Sequence, residues 1–496
     1  LAQTTLNVPS QFSSIQAAIS AAQPGDQVLV APGTYNEQIR FLGKAIRVVS
    51  SAGADQTTID AVGLNCTVGC NTTKESNSVA LFVDGEGSGS VLEGFRLVRS
   101  GPTVEASGVW APGASPLVEG CIIEGFESSF SVVAGAFSDG TFRDCIFRDN
   151  TGGALAGTVQ VEGCLFERNV QFNNPGAAIY SATLSPSTIS NSLFFENRVQ
   201  GESHSGGAVA GAANVTGSLF VGNQVSGFDP FIAAGGGALS ITGSVERCTF
   251  VGNQLVGFAI PSLFPNDGGA IRRASSVKNC IFRGNIPDQV SVTVQNPAPV
   301  TYSNVQGGFA GVGNFDLDPL FVNALAGDFG LSAGSPSIDS GDPTSPLDAD
   351  GTRADQGAFP KLGALTTPDS FQLSLAQGGQ RQLALDFGTA EAGRIYLLLG
   401  SLSGQAPGIV LDGQLLPLNP DAYTQALLAL PAAPISGQSG VLDAQGRATA
   451  LFSLPAGSVP SLAGVTAFHA ALTLGVGPGQ LFVAETSNAL PLTLLP

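Results

Sequence analysis

Between Val118 and Asn285 the chain repeats one short alternation of apolar and polar residues. Cys145-Ile-Phe-Arg-Asp-Asn150 is followed by copies ending at Asn169, Asn197, Asn223, Asn253 and Asn285, each opening on Cys or Ser with Phe two residues later. Three residues before each Cys or Ser an apolar residue recurs: Val118, Phe142, Val161, Ile189, Val215, Val245 and Val277. A second phrase answers the first, as Gly-Gly-Ala or Gly-Ala-Ala followed by Leu, Ile or Val, from Gly152, Gly176, Gly206, Gly236 and Gly268. Short β-type runs, glycine punctuation and one recurring unit predict a solenoid of stacked coils. Residues two apart on a strand share a face, so the Cys or Ser and the Phe are expected to point together into the coil. Asn150, Asn169, Asn197, Asn223, Asn253 and Asn285 would then stack as an internal ladder that satisfies turn amides.

The same alternation sends the next residue outward, and there the pattern is unusual. Ile146, Leu165, Leu193, Leu219 and Ile281 occupy a position that a wetted strand would fill with polar residues. Such a stripe needs cover from loops, another domain or another molecule. Loop length varies at one corner only, growing from Asn150–Gly153 to Asn253–Gly269, and the later loops carry Phe228, Phe231, Phe258 and Phe264. These phenylalanines read either as a binding face or as anchors that pack the loops down. Together with the stripe they suggest an interaction surface, with a second copy of the chain or a surface glycan or protein as partner.

Ahead of the repeats, Thr4 to Val8 reads as a strand, and Ser13-Ser14-Ile15-Gln16 starts a helix with Ile15, Ala18, Ile19 and Ala22 at helical spacing. That helix would cap the open end of the first coil. After Leu362 the repeats stop, and seven β-type runs between Leu373 and Leu495 predict a β-sandwich. The chain is therefore expected to be all-β: a parallel β-helix over 1–360 with an N-terminal capping helix, then a C-terminal β-sandwich domain over 361–496.

The alternation of FxxN with GGA[ILV] resembles the repeats of bacterial polymorphic outer-membrane proteins. More broadly the chain resembles the secreted right-handed parallel β-helices of the pectin-lyase-like superfamily. The opening SIQAAI and PGDQVLVAPGTYNE is similar to the start of many secreted β-helices, pectin methylesterases among them. The segment from Asn314 to Phe359 resembles their closing segment. This likeness spans residues near 4 to 360 and implies right-handed coiling. It says little of function, because that superfamily holds enzymes and adhesins alike.

Composition narrows the setting. A net charge of −18 with only 12% charged residues argues against nucleic acid and anionic membrane as partners. No apolar run is long enough for a membrane span. With no Met even at position 1, the Leu-Ala-Gln start reads as a processed, secreted form, extracellular or at the cell surface. Cys121, Cys145, Cys164, Cys248 and Cys280 share their slot with Ser192 and Ser218, which marks them as small core residues. Cys66 and Cys70 stand outside the pattern and would close a small disulfide in an oxidising compartment.

Candidate chemistry is sparse. Asp348, Asp350 and Asp355 could hold a structural Ca²⁺, with plain Asx-turns as the competing reading; no other cofactor is implied. The QDT, DFIFG and LGRPW motifs of pectin methylesterases and the Gly-His-Gly of polygalacturonases are absent, and His204 and His469 have no recognisable partner. The favoured expectation is a secreted non-enzymatic structural or adhesive protein of the cell surface, able to self-assemble into an extracellular fibre. The alternative is a polysaccharide-active enzyme of pectate-lyase type, which paired carboxylates facing an Arg across adjacent coils would revive.

Overall fold

In the computed structural model the described residues are all except 1–2, 63–76, 102–105, 129–133, 182–184, 202–204, 228–234, 257–267, 292–298, 333, 349–351, 359–363, 368–371, 389–390, 406–407, 413, 430–433, 458–459, 478–480 and 488. They form two compact units, 1–301 with 305–314, and 302–304 with 315–496. The division falls ahead of the expected boundary at 360/361. In this closing segment Phe315 still bridges Asn304 in parallel, whereas the strands Phe321–Asn323 and Asp328–Leu331 pair antiparallel with each other.

The first unit is a right-handed parallel β-helix with three long faces. The first face, from Thr5–Val8 to Val300–Thr301, has 12 strands; the second, from Gly33–Tyr35 to Asn304–Val305, has 11; the third, from Ile39–Arg40 to Ile271–Arg272, has 9. Pairing is parallel and in strict register, as in Leu193↔Leu219 and Phe194↔Phe220. First-face and second-face strands meet through a single left-handed residue just before the Cys or Ser: Asp144, Gly163, Asn191, Gly217, Arg247 or Asn279. A second left-handed residue, Asp149, Arg168, Glu196, Gly222, Gly252 or Gly284, precedes each ladder Asn. Asp, Asn and Gly tolerate this conformation best, which explains their frequency at both corners. In the Gly-Gly-Ala phrase the second glycine is needed for space: a Cβ on Gly207 would lie 2.0 Å from the Gly237 carbonyl oxygen of the next coil.

A fourth sheet follows the ladder Asn, from Val170–Phe172, Arg198–Gln200, Gln224–Ser226 and Gln254–Val256. Its Val199, Val225 and Leu255 pack with Ala177 as a small satellite core. The apolar residue two after the Asn is the signal in sequence that marks it.

The helix Ile15–Ala21 closes the first coil, burying Ile15, Ala18 and Ile19 in the same core as Val8 and Val28. Ser14 caps it by accepting from the Ala17 N–H. Glu37 takes the Ile15 and Gln16 N–H groups, both at 2.8 Å, and Lys44 donates to the carbonyls of Ile19, Ser20 and Ala22. So short a helix is marginal alone, and these tethers from the coils hold both its ends.

The second unit contains a β-sandwich. One sheet orders Ala364–Thr366, Gly379–Asp386, Arg447–Leu454 and Ile435–Ser436; the other orders Gln372–Ser374, Leu490–Leu495, Thr466–Val476, Ile395–Ser401 and Ser439–Val441, with Leu481–Thr486 also on Thr466–Val476. Leu383, Leu385 and Phe452 of the first sheet meet Leu398, Leu492 and Leu494 of the second in one core. A helix, Ala422–Ala429, lies between strands where only loop was expected; Asp421 caps it by accepting from Tyr423 and Thr424.

Candidate functional site

The interior of the β-helix is built from three vertical ladders. In the first, each Asn donates its backbone N–H and its side-chain amide to Oδ1 of the next Asn, from Asn150 to Asn169, Asn197, Asn223, Asn253 and Asn285, at 2.9–3.2 Å. The Phe126 N–H donates to Asn150 at one end, and at the other Asn285 donates to Gln289. In the second, Phe147, Phe166, Phe194, Phe220, Phe250 and Phe282 stack at 4.5–5.0 Å with planes within 7°. The third runs through the Cys/Ser slot: the N–H of Cys145 donates to Cys164 Sγ, that of Cys164 to Ser192 Oγ, and that of Ser192 to Ser218 Oγ. All five slot cysteines are buried thiols outside any disulfide, and burial pushes those of Cys121, Cys145 and Cys248 well up. This interior is structural.

The outward row of the second face corrects an expectation. Leu193, Leu219 and Ile281 are 2%, 0% and 0% exposed, and Ile146 and Leu165 are half-buried. The chain itself covers the later part of the row, so it is no wetted stripe awaiting a partner. Phe228, Phe231, Phe258 and Phe264 lie outside the described residues, as do Cys66, Cys70, His204 and Asp350.

Charge on the outer surface is arranged in ion-paired columns. On the first face Arg143 lies 3.3 Å from Glu119 and 3.2 Å from Glu162, in the coils on either side. This is the pattern of paired carboxylates facing an Arg, but both carboxylates push the Arg143 pKa up. They hold its proton, which is the reverse of what a general base needs. On the second face Glu124 pairs with both Arg96 and Arg148.

At the margin of that face, Val98, Arg99, Ser100, Glu124, Gly125 and Asp149 line a cavity of about 300 Å³. Arg99 donates to the carbonyls of Ala61 and Asn77, and its Nε has no partner. Burial pulls its pKa below the usual range, against an opposing pull from Asp60.

The third face carries an aromatic row. Trp110, Phe137 and Tyr180 point outward, each half-buried, while Val109, Ala136 and Ile179 point into the core. Trp110 and Phe137 are directly paired in register, with ring centroids 5.1 Å apart. Phe137 pairs with Ala156, and Ala156 with Tyr180, so a small residue separates the second ring from the third. Nothing in the repeat phrase pointed to these positions, because they vary from coil to coil.

In the second unit Asp348 accepts from the Asp355 N–H and Asp355 from the Asp339 N–H, both at 2.7 Å, as turn-forming carboxylates do. His469 is fully buried, and its Nε2 lies 3.0 Å from the Tyr423 hydroxyl, a partner that sequence reasoning missed across 46 residues. Among the described residues no helix is long and apolar enough to cross a membrane.

Residues 66–255 match the family model for the right-handed β-helix region, a span that takes in the repeats ending at Asn150 to Asn253 and stops before the copy ending at Asn285. No match was found among the curated proteins or the solved structures.

Proposed function

We propose that this chain is a secreted, non-enzymatic adhesive protein of the cell surface, whose β-helix binds a neutral glycan along its third face. The observation that carries this reading is the row Trp110, Phe137 and Tyr180, held in register on parallel strands. Aromatic faces carry partial negative charge and attract the C–H faces of sugar rings, and a flat sheet presents them without ordering a loop. A net charge of −18 disfavours an acidic glycan and leaves a neutral one. Fibre formation through Leu193 and Leu219 is not part of this proposal, because the chain covers both side chains.

The test uses the single Trp of the chain, which makes its fluorescence specific to this face. Titration with cello-, xylo- and chito-oligosaccharides should give a saturable change with at least one of them. Phe137→Ala or Tyr180→Ala should weaken that binding about tenfold, a typical loss for an aromatic contact, with the far-ultraviolet circular dichroism unchanged. Wild type that is silent towards all three would overturn the proposal.

A second reading, a lyase acting on acidic polysaccharide, draws support from Arg99, whose proton burial loosens beside a cavity containing Glu124 and Asp149. Release of unsaturated product from polygalacturonate, abolished by Arg99→Lys, would favour it over adhesion.

A further inference from the structure

The aromatic row of the third face has a definite length. Register places one residue of each coil in its column: Leu81 pairs with Trp110, Trp110 with Phe137, Phe137 with Ala156, Ala156 with Tyr180, and Tyr180 with Ala210. Leu81 is 0% exposed and Ala210 2%, whereas all three rings are half-buried. The open part of the column is therefore four coils long, with rings on the first, second and fourth and the Ala156 methyl on the third. None of these side chains is charged.

Parallel strands in register repeat every ~4.8 Å, so Phe137 and Tyr180, two coils apart, are separated by ~9.6 Å along the rod. Trp110 and Phe137 follow the same step, with ring centroids 5.1 Å apart and planes 30° from each other. A ligand that touches all three rings has to lie along the rod axis. It has to advance by about one strand spacing per repeating unit, and to turn an apolar face to the protein at each unit.

Among neutral glycans this combination belongs to the extended chain of β-1,4-linked, gluco-configured sugars. Diequatorial linkages make that chain a flat ribbon whose step per sugar is close to a strand spacing. With every substituent equatorial, each ring carries axial C–H groups on both faces. Successive sugars can then flip without losing contact, because aromatic faces attract those C–H groups. The axial C1–O bond of an α-1,4 glucan instead winds the chain away from a straight row. The axial 2-hydroxyl of a mannan is turned towards the row at every second sugar, where apolar side chains offer it no partner.

We propose, on the premise that the third face binds a neutral glycan, that its ligand is an unbranched β-1,4-linked chain of gluco-configured sugars. The chain lies parallel to the rod axis with one sugar per coil over four coils. Trp110, Phe137 and Tyr180 stack on the first, second and fourth sugars, and the third passes over Ala156. Cellulose-type and chitin-type chains share this backbone and differ in the 2-substituent, which lies at the edge of the ribbon.

The test follows the fluorescence of the single Trp in the full wild-type chain. The titrants are cellotetraose, chitotetraose, xylotetraose, mannotetraose and maltotetraose, with cellobiose and chitobiose as the short members. Cellotetraose or chitotetraose should bind about tenfold more tightly than maltotetraose, mannotetraose and the disaccharide of its own series, the factor of one aromatic contact. The tighter of the two identifies the 2-substituent. Tyr180→Ala should erase the advantage of tetrasaccharide over disaccharide, and Tyr180→Phe, which keeps the ring, should retain it. Equal affinity for maltotetraose or mannotetraose, or a disaccharide as tight as its tetrasaccharide, would overturn the inference and leave the neutral-glycan reading standing. So would an advantage that survives Tyr180→Ala, or silence of both cellotetraose and chitotetraose while another sugar binds. No saturable response to any sugar would overturn both.

Discussion

Asn223 and Asn253 are joined twice: the backbone N–H and the side-chain amide of Asn223 both donate to Oδ1 of Asn253, at 3.0 and 2.9 Å. The Asn223 amide also donates to the Phe194 carbonyl, and its own Oδ1 receives both donors of Asn197. One buried side chain therefore satisfies groups in three consecutive coils. Asn223→Leu strands the two donors of Asn197, and each unpaired group costs ~1–3 kcal/mol. A loss of at least that size is expected in urea melts, and a neutral substitution would contradict the ladder.

The Cys/Ser slot should be far more tolerant. Cys248 makes sulfur contacts to carbonyls, 3.2 Å to that of Glu246 and 3.8 Å to that of Val215, and Ser218 fills the equivalent place one coil earlier with an oxygen. Cys248→Ser should change stability by less than about 1.5 kcal/mol, the size of one ordinary hydrogen bond. In the native protein Cys121, Cys145 and Cys248 should resist iodoacetamide at mildly alkaline pH, since burial both shields them and disfavours the thiolate. Peptide mapping before and after urea treatment reads this directly.

Lysine at Leu193 or Leu219 is expected to act on folding. Both side chains are buried, so a charge there must be desolvated or drag the covering chain away. Leu219→Ala alone should cost about 2–5 kcal/mol, and Leu219→Lys more. Sedimentation of the wild type should show no concentration-dependent association through this row. Association that Leu219→Lys abolishes while stability is kept would reverse the conclusion.

His469 makes the C-terminal unit sensitive to acid. Its folded pKa lies at about 4, because burial disfavours the charged ring, against an ordinary value of 6.5. Between those values the unfolded chain binds a proton that the folded chain refuses, so stability rises with pH across this window. The stabilisation is complete above pH 6.5 and is lost as pH falls towards 4. A shift of that size corresponds to ~3 kcal/mol at most. Asp328 works in the opposite sense, because burial raises its pKa from 3.8 to about 6, and its contribution is lost as pH rises towards 6. Hydrogen exchange in the strand Thr466–Val476 should quicken from pH 7 to pH 4.5, after correction for intrinsic rates. His469→Gln should flatten that trend.

Much of the β-helix is legible in the sequence because one coil constrains the next. A Phe at a fixed place in every repeat can stack at the strand spacing only in a parallel, in-register sheet, and the Asn five residues after each Cys or Ser marks the corner. The fourth sheet was less visible, since it rests on a single apolar residue after the Asn. Trp110, Phe137 and Tyr180 were not legible as a site. They are far apart in sequence and belong to no repeated phrase, so only the register of the third face brings them together.

Local alternation and repeat spacing thus determined by themselves the fold class, the capping helix, the inward residues of each coil and most strands of the sandwich. These depend on interactions that recur between neighbours at known offsets. Tertiary structure alone decided which outward residues stay wet. Leu193, Leu219 and Ile281 alternate outward yet are covered, because burial depends on where the rest of the chain returns rather than on the strand's own period. It alone also set His469 against Tyr423, through a hydrogen bond between a strand and a helix that no periodicity links.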